Sequence, residues 1–356
     1  MPISAIDAIS PAFQHTRQQL FQTFRAGQWA KLALVGFLAG ELTSGGCNLQ
    51  MPGRTSGTQR FLAPALPNMD PKLLAGLIVF LIVFGVVFFF LFLYLGSVMR
   101  FILFDAVIDK NCQIRRGWSR RHEPGLHYFL WQLLFYFVGP LGMALLIGIP
   151  ALFALALGWF NQPKQHMVAL ILGGMVLFLL FFAFLIAWLL VHVLTKDFVV
   201  PQMALENISA FEGWRRLLPQ LRAEKGSYAG YIAMKIVMAL GVAVIVGIIA
   251  VIVILLLLIP VGGLGAIAVL GGKAAGLQWN LYTITFAVVA GIILLALILY
   301  VIALISVPAI VFFPAYSIYF LASRYAALDA LLHPAPPPPA VSAAPPPLPP
   351  EPEVSG

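Results

Sequence analysis

The sequence predicts an all-α protein, a polytopic transmembrane helical bundle of about six spans. Hydrophobic residues make up 61% of the 356 residues and charged residues only 10%, whereas soluble proteins average about 45–50% and 25%. Charged side chains avoid five long stretches, which are 73–99, 124–163, 165–195, 236–272 and 274–323. About 20 apolar residues cross a bilayer, so each stretch is long enough to span. The stretches lack the alternation of barrel strands, which leaves helices.

An amphipathic helix is predicted ahead of the spans, within residues 1–26. Ser10 is a good N-cap, and Pro11 suits the first turn of a helix. Less polar side chains recur at helical spacing at Ile9, Phe13, Thr16, Leu20 and Phe24. Such a helix lies either in the membrane interface or against the end of the bundle itself. We assign it to the interface.

The first apolar run, 29–42, is the shortest and carries Lys31 and Glu41. Runs of this length are as often re-entrant as spanning. It crosses the membrane if Lys31 reaches back to the interface and the helix continues to about Gly45.

The later spans are more regular. After a loop rich in Gly, Ser and Pro, they are predicted at roughly 73–100, 127–158, 167–195, 229–258 and 281–320. Prolines inside these runs mark kinks or ends that neighbouring helices accommodate. The transmembrane domain therefore extends over 27–332.

The basic residues fall mainly on one side of this bundle. The other side holds five of the 21 Lys and Arg residues, which are Arg54, Arg60, Lys72, Lys164 and Lys273. Positively charged loops stay in the cytoplasm, so both termini are predicted to be cytoplasmic in a cell inner membrane. Without a crossing at 29–42 the basic N-terminus would move outside, and the rule therefore favours a crossing there.

Residues 333–356 are a proline-rich segment, predicted to be a disordered cytoplasmic tail of polyproline-II character. The tail is either a solvated spacer or a ligand for a protein partner that recognises proline. The net charge of +8 is explained by membrane topology, so no nucleic-acid partner is expected. Cys47 and Cys112 fall in loops on opposite sides, and a disulfide between them is not expected.

Two connectors share a pattern that indicates an internal repeat. "GWSRRHEPGLHYFLWQ" at 117–132 follows the second predicted span, and "GWRRLLPQL" at 213–221 follows the fourth. Aligning 101–104 with 198–201 brings the two Gly-Trp pairs into near register, and 311–314 resembles both segments. The chain is therefore predicted to contain three parallel helical hairpins in series.

The connector at 213–221 predicts a short amphipathic helix. Ser209 and Glu212 fit a capping box, with Trp214 on the apolar side and Arg215 and Arg216 opposite. Trp prefers headgroup depth, and each basic residue beside an anionic leaflet contributes about 1 kcal/mol. The candidate contacts to anionic lipid headgroups are Trp118, Arg120, Arg121, Trp214, Arg215 and Arg216. In the alternative interpretation these arginines only determine the membrane topology.

The stretch "ISPAFQHTRQQLFQTFRAGQWAKLALVGF" at 9–37, together with the basic connectors, resembles a group of uncharacterised bacterial polytopic proteins. These are similar in style to the membrane domain found beside glycerophosphoryl diester phosphodiesterases. The resemblance covers most of the chain up to about Arg324. In that family the membrane domain can be fused to a soluble catalytic domain. This chain has no polar stretch long enough for one, so phosphodiesterase activity is not implied.

The sequence contains no catalytic motif. The sequence lacks a phosphate-binding loop, a His-Glu-x-x-His pair and a Gly-x-Ser-x-Gly elbow, so neither a cofactor nor a metal is expected. Charged residues in or near spans are costly, which makes them candidates for function. Glu41 is the candidate cavity residue, although an outer-interface position is the preferred interpretation. Asp105 lies near Arg100, and His192 lies one turn before Lys196 and Asp197. Both groups are expected to form ion pairs at cytoplasmic helix ends.

The leading functional hypothesis is a non-enzymatic membrane protein that associates with anionic lipids and scaffolds or organises the membrane. The alternative is a transporter or permease for an amphiphilic or lipid substrate, and a membrane-embedded lipid enzyme comes third. A scaffold predicts a bundle closed by side chains. A transporter predicts a hydrated cleft near Glu41 or the basic connectors, and an enzyme predicts convergent polar side chains at one depth.

Overall fold

The computed structural model describes residues 3–22, 24–41, 71–160, 164–274 and 281–333. Within these ranges every regular element is a helix. The helices are α1 (Ile9–Arg17), α2 (Ala26–Leu38), α3 (Pro71–Ile108), α4 (Ile114–Ala156), α5 (Met167–Leu194), α6 (Val200–Glu206), α7 (Ala210–Ala223), α8 (Lys225–Ala274), α9 (Leu281–Ala322) and α10 (Ala326–Leu332). A π-helical turn extends α1 over Gln18–Gln22, and another joins α5 to α6 over Thr195–Val199.

Five helical segments are long and apolar enough to cross a membrane. They are Ile78–Ile108, Ile114–Ala156, Met167–Glu206, Lys225–Pro260 and Val288–Ala322. Their positions agree with the five longer predicted spans, and the protein is therefore a multi-pass membrane protein. The prolines at 124, 140 and 150 lie within α4 without ending it.

Helix α2 does not reach across a membrane by itself. Its 13 residues make a helix about 20 Å long, whereas the hydrocarbon core of a bilayer is about 30 Å thick. Gln28, near its start, accepts from the backbone N–H of Cys112 at 2.9 Å, just past the end of α3. Ala39, just past its end, accepts from Arg100, which lies inside α3. The predicted crossing at 29–45 is not confirmed, because the described helix ends at this depth and 42–45 lie outside the described residues.

Glycines let α2 wedge between α3 and α9. A Cβ on Gly36 would lie 2.4 Å from Cγ2 of Ile310 in α9. A Cβ on Gly96 of α3 would lie 2.8 Å from the carbonyl oxygen of Leu38. Real side-chain atoms do not approach this closely, so both helix crossings require glycine, which has no Cβ.

The buried core lies at one end of the bundle, which we call the closed end. It contains the last turns of α3 and α9, the first turns of α4 and α8, and the short helices that connect them. Its largest fully buried side chains include Tyr128, Tyr228, Tyr231, Tyr316, Phe101 and Phe198. Phe101 packs edge-on against Tyr128 and joins α3 to α4, while Tyr231 packs against Phe198 and Tyr316 and joins α8 to the second π-helical turn and α9.

The opposite halves of the long helices form what we call the open end. In the most apolar windows of α3 and α5 no residue is buried inside the molecule, and in the other three spans only about one residue in nine is. The side chains from Ile78 to Phe89 of α3 are nearly all exposed. Nearer the closed end, α4 and α5 still touch, since Gly139 of α4 packs against Trp188 of α5. The open end therefore presents apolar surface on nearly every helix.

The N-terminal helix packs against the closed end. His15 contacts the carbonyl of Val107 in α3 and the hydroxyl of Tyr319 in α9. Phe13 and Phe24, two members of the predicted apolar stripe, are more than 60% exposed. The predicted domain 1–26 thus has its polar His15 inward and its phenylalanines outward, and its placement in a membrane interface stays a prediction. The loop before α3, with Cys47, and the tail at 334–356 lie outside the described residues.

Candidate functional site: a buried charged cluster

Five charged side chains meet inside the closed end. They come from four elements and are Glu41 after α2, Arg100 of α3, Lys196 and Asp197 of the π-helical turn after α5, and Lys235 of α8. We call this group the charged cluster. Glu41, Arg100, Asp197 and Lys235 are each less than 10% exposed. Burial of so many charges in one place is costly unless they are paired.

Two ion pairs account for four of the five charges. The ammonium of Lys196 donates to the carboxylate of Glu41, and that of Lys235 donates to Asp197. The hydroxyl of Tyr231 also donates to Asp197 at 3.0 Å. Each carboxylate therefore has a cationic partner on a different helix, and the pairs hold α2, α5 and α8 in one arrangement.

Arg100 is the exception in the cluster. One terminal nitrogen, Nη2, donates to the carbonyl of Ala39, and the guanidinium carbon lies 5.7 Å from the ring centre of Tyr128. Its Nε and Nη1 atoms have no hydrogen-bond partner among the described residues, although the residue is only 7% exposed. Buried donors without partners are rare, because each loses its hydration without compensation.

A small cavity of about 30 Å³ lies among these side chains. Besides the charged cluster, its lining includes Pro201, Phe313 and Ser317. The apolar part of the lining comes from α3, α6 and α9, and the charges come from the cluster. The cavity thus lies where the ends of several helices converge.

The local backbone explains how Glu41 reaches this place. Gly40 has a left-handed conformation with φ of +75°, and the backbone N–H groups of Gly40 and Glu41 donate to Phe37 and Gly36 at 3.1 and 2.9 Å. This is a Schellman ending, in which a glycine reverses the chain direction. The turn directs Glu41 toward Lys196, 155 residues away in the sequence.

The position of Glu41 corrects one interpretation of the sequence. The outer interface was preferred for Glu41, on the side opposite Lys196, because the run at 29–42 was expected to cross. The structure buries Glu41 against Lys196 instead. The reason is the length of α2, which ends beside Arg100 in the closed-end part of α3, before it can reach the open end.

Arg121 is held inside the protein. Its guanidinium donates to both carboxylate oxygens of Asp105, at 2.7 and 2.6 Å, and also to the carbonyl of Ala204. Bidentate pairs of this kind are strong and geometrically specific. Arg121 therefore ties α4 to α3 and α6, and in this structure it has no free face for a lipid headgroup. Asp105 thus pairs with Arg121, whereas sequence proximity had suggested Arg100.

The tryptophans of the two connectors also face inward in part. Trp214 is half-buried, and its indole N–H donates to the hydroxyl of Thr195 at 3.0 Å. Trp118 is half-buried, with its ring edge-on to Tyr94 at 6.0 Å. Both side chains contact the bundle.

The remaining arginines lie on the surface of the closed end. Arg216 pairs with Glu206 and Glu212. Arg215 is 84% exposed, and its nearest carboxylate is that of Glu212 at 3.8 Å. Arg120 is exposed and lines an open groove of about 220 Å³. Of the predicted headgroup contacts, Arg120 and Arg215 are therefore the ones that the structure leaves most accessible.

Sequence reasoning did not identify Lys235 as a member of the cluster. The available signal was its position six residues inside the predicted span 229–258, since a charge within a span marks a functional or paired site. Arg100 was expected at a helix end. When 101–104 is aligned with 198–201, Arg100 occupies the position equivalent to Asp197. In the described part of the chain, no group of three or more His, Cys, Asp or Glu side chains could hold a metal ion.

Comparison with known proteins places the chain in a family without assigning it an activity. No curated protein and no solved structure matches the sequence. A family model described as a family of unknown function, DUF7544, matches residues 3–331. Since this match extends over nearly all of the described residues, the chain belongs to the DUF7544 family.

Proposed function

We propose that this protein is a non-enzymatic, lipid-associated scaffold that organises the membrane around its open end. The observation that supports this is the contrast between the two ends of the bundle. The apolar halves of α3, α5 and α8 are exposed along most of their length, while the opposite end is closed by side chains and ion pairs. Soluble proteins rarely expose apolar surfaces of this size, whereas lipid covers such a surface at little cost.

The size of the buried cavity favours a scaffold over a permease. Pockets for small molecules usually measure about 300–1,000 Å³, whereas the cavity at the charged cluster measures about 30 Å³. An amphiphilic substrate does not fit there. The permease alternative requires a conformation in which the ion pairs around Glu41 have separated.

The closed end is proposed to face the cytoplasm, in a cell inner membrane, with both termini on that side. Arg324, after the last span, donates to the carbonyl of Ile3 at 3.2 Å, so the two ends of the described chain meet there. Most basic residues of the described part also lie at this end, as the positive-inside rule requires. The exposed Lys164 is on the opposite side.

The connectors are proposed to be copies of one structural unit within three repeated hairpins and six spans. A Cβ on Gly117 would lie 3.0 Å from Ile102, and a Cβ on Gly213 would lie 2.7 Å from Val199. Ile102 and Val199 are equivalent positions when 101–104 is aligned with 198–201. In both units the glycine of the Gly-Trp pair therefore lets the connector pack closely onto the end of the preceding span.

The resemblance to the membrane domain beside glycerophosphoryl diester phosphodiesterases is kept as a hypothesis of common ancestry and carries no activity. The proline-rich tail is proposed as a cytoplasmic segment that reaches a protein partner or acts as a spacer. Anionic lipid headgroups are the partners that the exposed Arg120 and Arg215 suit best.

The proposal is tested by measuring which lipids stay with the protein. We expect anionic phospholipid to be enriched in polymer-extracted native nanodiscs, and enrichment to be lost in the Arg120→Gln/Arg215→Gln double variant. Each basic residue contributes about 1 kcal/mol, so the loss of two weakens association by roughly 30-fold. The matched control is Lys164→Gln, which removes an exposed charge from the other side and should retain the lipid. An unchanged lipid composition in the double variant contradicts the assignment.

A further inference from the structure

The charged cluster is short of one negative charge. Its cations are Arg100, Lys196 and Lys235, and its carboxylates are Glu41 and Asp197. The two lysines each pair with one carboxylate. That leaves the guanidinium of Arg100 without a carboxylate that the structure pairs with it, in a position that is 93% removed from solvent.

The donors of Arg100 that lack partners lie beside a cavity. Nε and Nη1 lack partners among the described residues, and Arg100 lines the cavity of about 30 Å³. A cavity of roughly 10–15 Å³ already holds one water molecule, so this one has room for a single small ion. Arginine stays protonated in proteins, so Arg100 cannot avoid the desolvation cost by losing its charge. An anion would supply acceptor capacity and charge together.

We propose that the cavity is a binding site for one monovalent, halide-sized inorganic anion, held chiefly by Arg100 with Lys196 and Lys235 as flanking cations. Water alone would accept from the guanidinium but would leave the net charge uncompensated in a low-dielectric interior, where an unpaired charge is expensive. A monovalent ion matches the single missing charge. A phospholipid headgroup carries glycerol and acyl chains, which do not fit in a cavity of this size.

The site also explains why so many charges are tolerated where these four elements meet. With an anion bound, each cation of the cluster faces one negative charge. The ion then acts as a structural link between α3, the π-helical turn after α5, and α8. We expect the folded protein to be more stable when the ion is present, because binding to the folded state alone shifts the unfolding equilibrium.

The test compares halide with a bulky anion at constant ionic strength. Full-length protein in neutral detergent is unfolded thermally in sodium gluconate with increasing sodium bromide or chloride. We expect the midpoint to rise and saturate with halide, and the ³⁵Cl resonance to broaden until bromide displaces chloride. The Arg222→Gln variant, which loses an exposed charge of α7, should behave like the wild type, and Arg100→Gln should lose both effects.

A second variant keeps the test decisive if Arg100→Gln does not fold. Glu41→Gln removes a carboxylate from the cavity and leaves Lys196 without its negative partner, so halide binding should tighten several-fold. A merely structural role for the cluster predicts no such gain. Absence of halide-dependent broadening in the wild type overturns the proposal. It is equally overturned if folded Arg100→Gln responds as the wild type does, or if the retained occupant is a phospholipid and halide has no effect.

Discussion

At the scale of single residues, His15 shows how a polar group is accommodated at the closed end. Its Nε2 lies 2.8 Å from the carbonyl of Val107, and its Nδ1 lies 3.1 Å from the hydroxyl of Tyr319. A carbonyl only accepts, so Nε2 carries the proton, and Nδ1 accepts from Tyr319. Both ring nitrogens are thus satisfied in the neutral form. Burial lowers the pKa of His15 below its ordinary value of 6.5, and the positive charge of Lys110 lowers it further, against the hydrogen bond to Val107.

This shift predicts that acid destabilises the protein through His15. The unfolded chain takes up the proton near the ordinary pKa, while the folded chain resists it, so the contribution to stability is complete above about pH 6.5 and falls as the pH drops below it. We expect the thermal midpoint to decrease between pH 7 and pH 5, and the decrease to be smaller in His15→Gln. The exposed His122 provides the control, since His122→Gln should keep the wild-type slope. Equal slopes in the wild type and both variants would exclude His15 as the source.

At the scale of elements, the short helix α2 depends on glycine at its crossing points. Gly36 lies against Ile310, and Gly27, in the same helix, has no atom within 4 Å of where a Cβ would be. The two positions therefore separate the effect of packing from that of helix propensity.

The glycine pair yields a prediction of opposite signs. Gly36→Ala should destabilise the protein by about 1–3 kcal/mol, because Ile310 is fully enclosed and overpacking forces neighbouring atoms apart. Gly27→Ala should be neutral or slightly stabilising, since Ala favours helix over Gly by up to about 1 kcal/mol. Midpoints of thermal unfolding in the same detergent measure both. If Gly36→Ala is as stable as Gly27→Ala, the close crossing of α2 and α9 is wrong.

Element length and type could largely be predicted from the sequence, but the end of α2 could not. The five long helices follow from charge-free runs that exceed the bilayer thickness. The capping role of Ser209 was also predicted, and its hydroxyl does accept from the backbone N–H of Glu212 at 3.3 Å. The turn at Gly40 depends on a backbone conformation, which composition does not encode. Its consequence, the pairing of Glu41 with Lys196, is a contact between residues 155 positions apart.

The charged cluster was missed for the same reason. Arg100, Lys196 and Lys235 each read as an ordinary basic residue near the end of a span, where ion pairing or topology explains it. Only the packing of the four elements shows that all three of these basic side chains line one cavity. The sequence could not separate the buried from the exposed candidate headgroup contacts either. Arg121 is buried because it binds the carboxylate of Asp105, which lies 16 positions earlier, in the preceding helix.

At the scale of the whole molecule, ion pairs connect the helices at the closed end, and the surface of the open end is mainly apolar. Besides the cluster, Asp105 joins α3 to α4 through Arg121, and Arg324 after α9 binds Glu224 at 2.8 Å. Buried pairs cost desolvation energy, and they restrict the helix ends to arrangements in which the paired charges meet. Among the described residues, these buried ion pairs lie at the closed end, and the open end presents mainly apolar side chains.

This division predicts which parts of the chain share a side of the membrane. Single cysteines introduced by Ser4→Cys and Arg215→Cys, both at exposed closed-end positions, should react with a membrane-impermeant maleimide only after the cells are permeabilised. Lys164→Cys, at an exposed position beyond the far end of α4, should react in intact cells. The N-terminal position is informative because Ile3 contacts Arg324, which requires the two termini of the described chain to share a side. Labelling of the Ser4→Cys and Arg215→Cys variants on opposite sides would contradict the fold, whereas reversal of all three would contradict only the cytoplasmic orientation drawn from the basic residues.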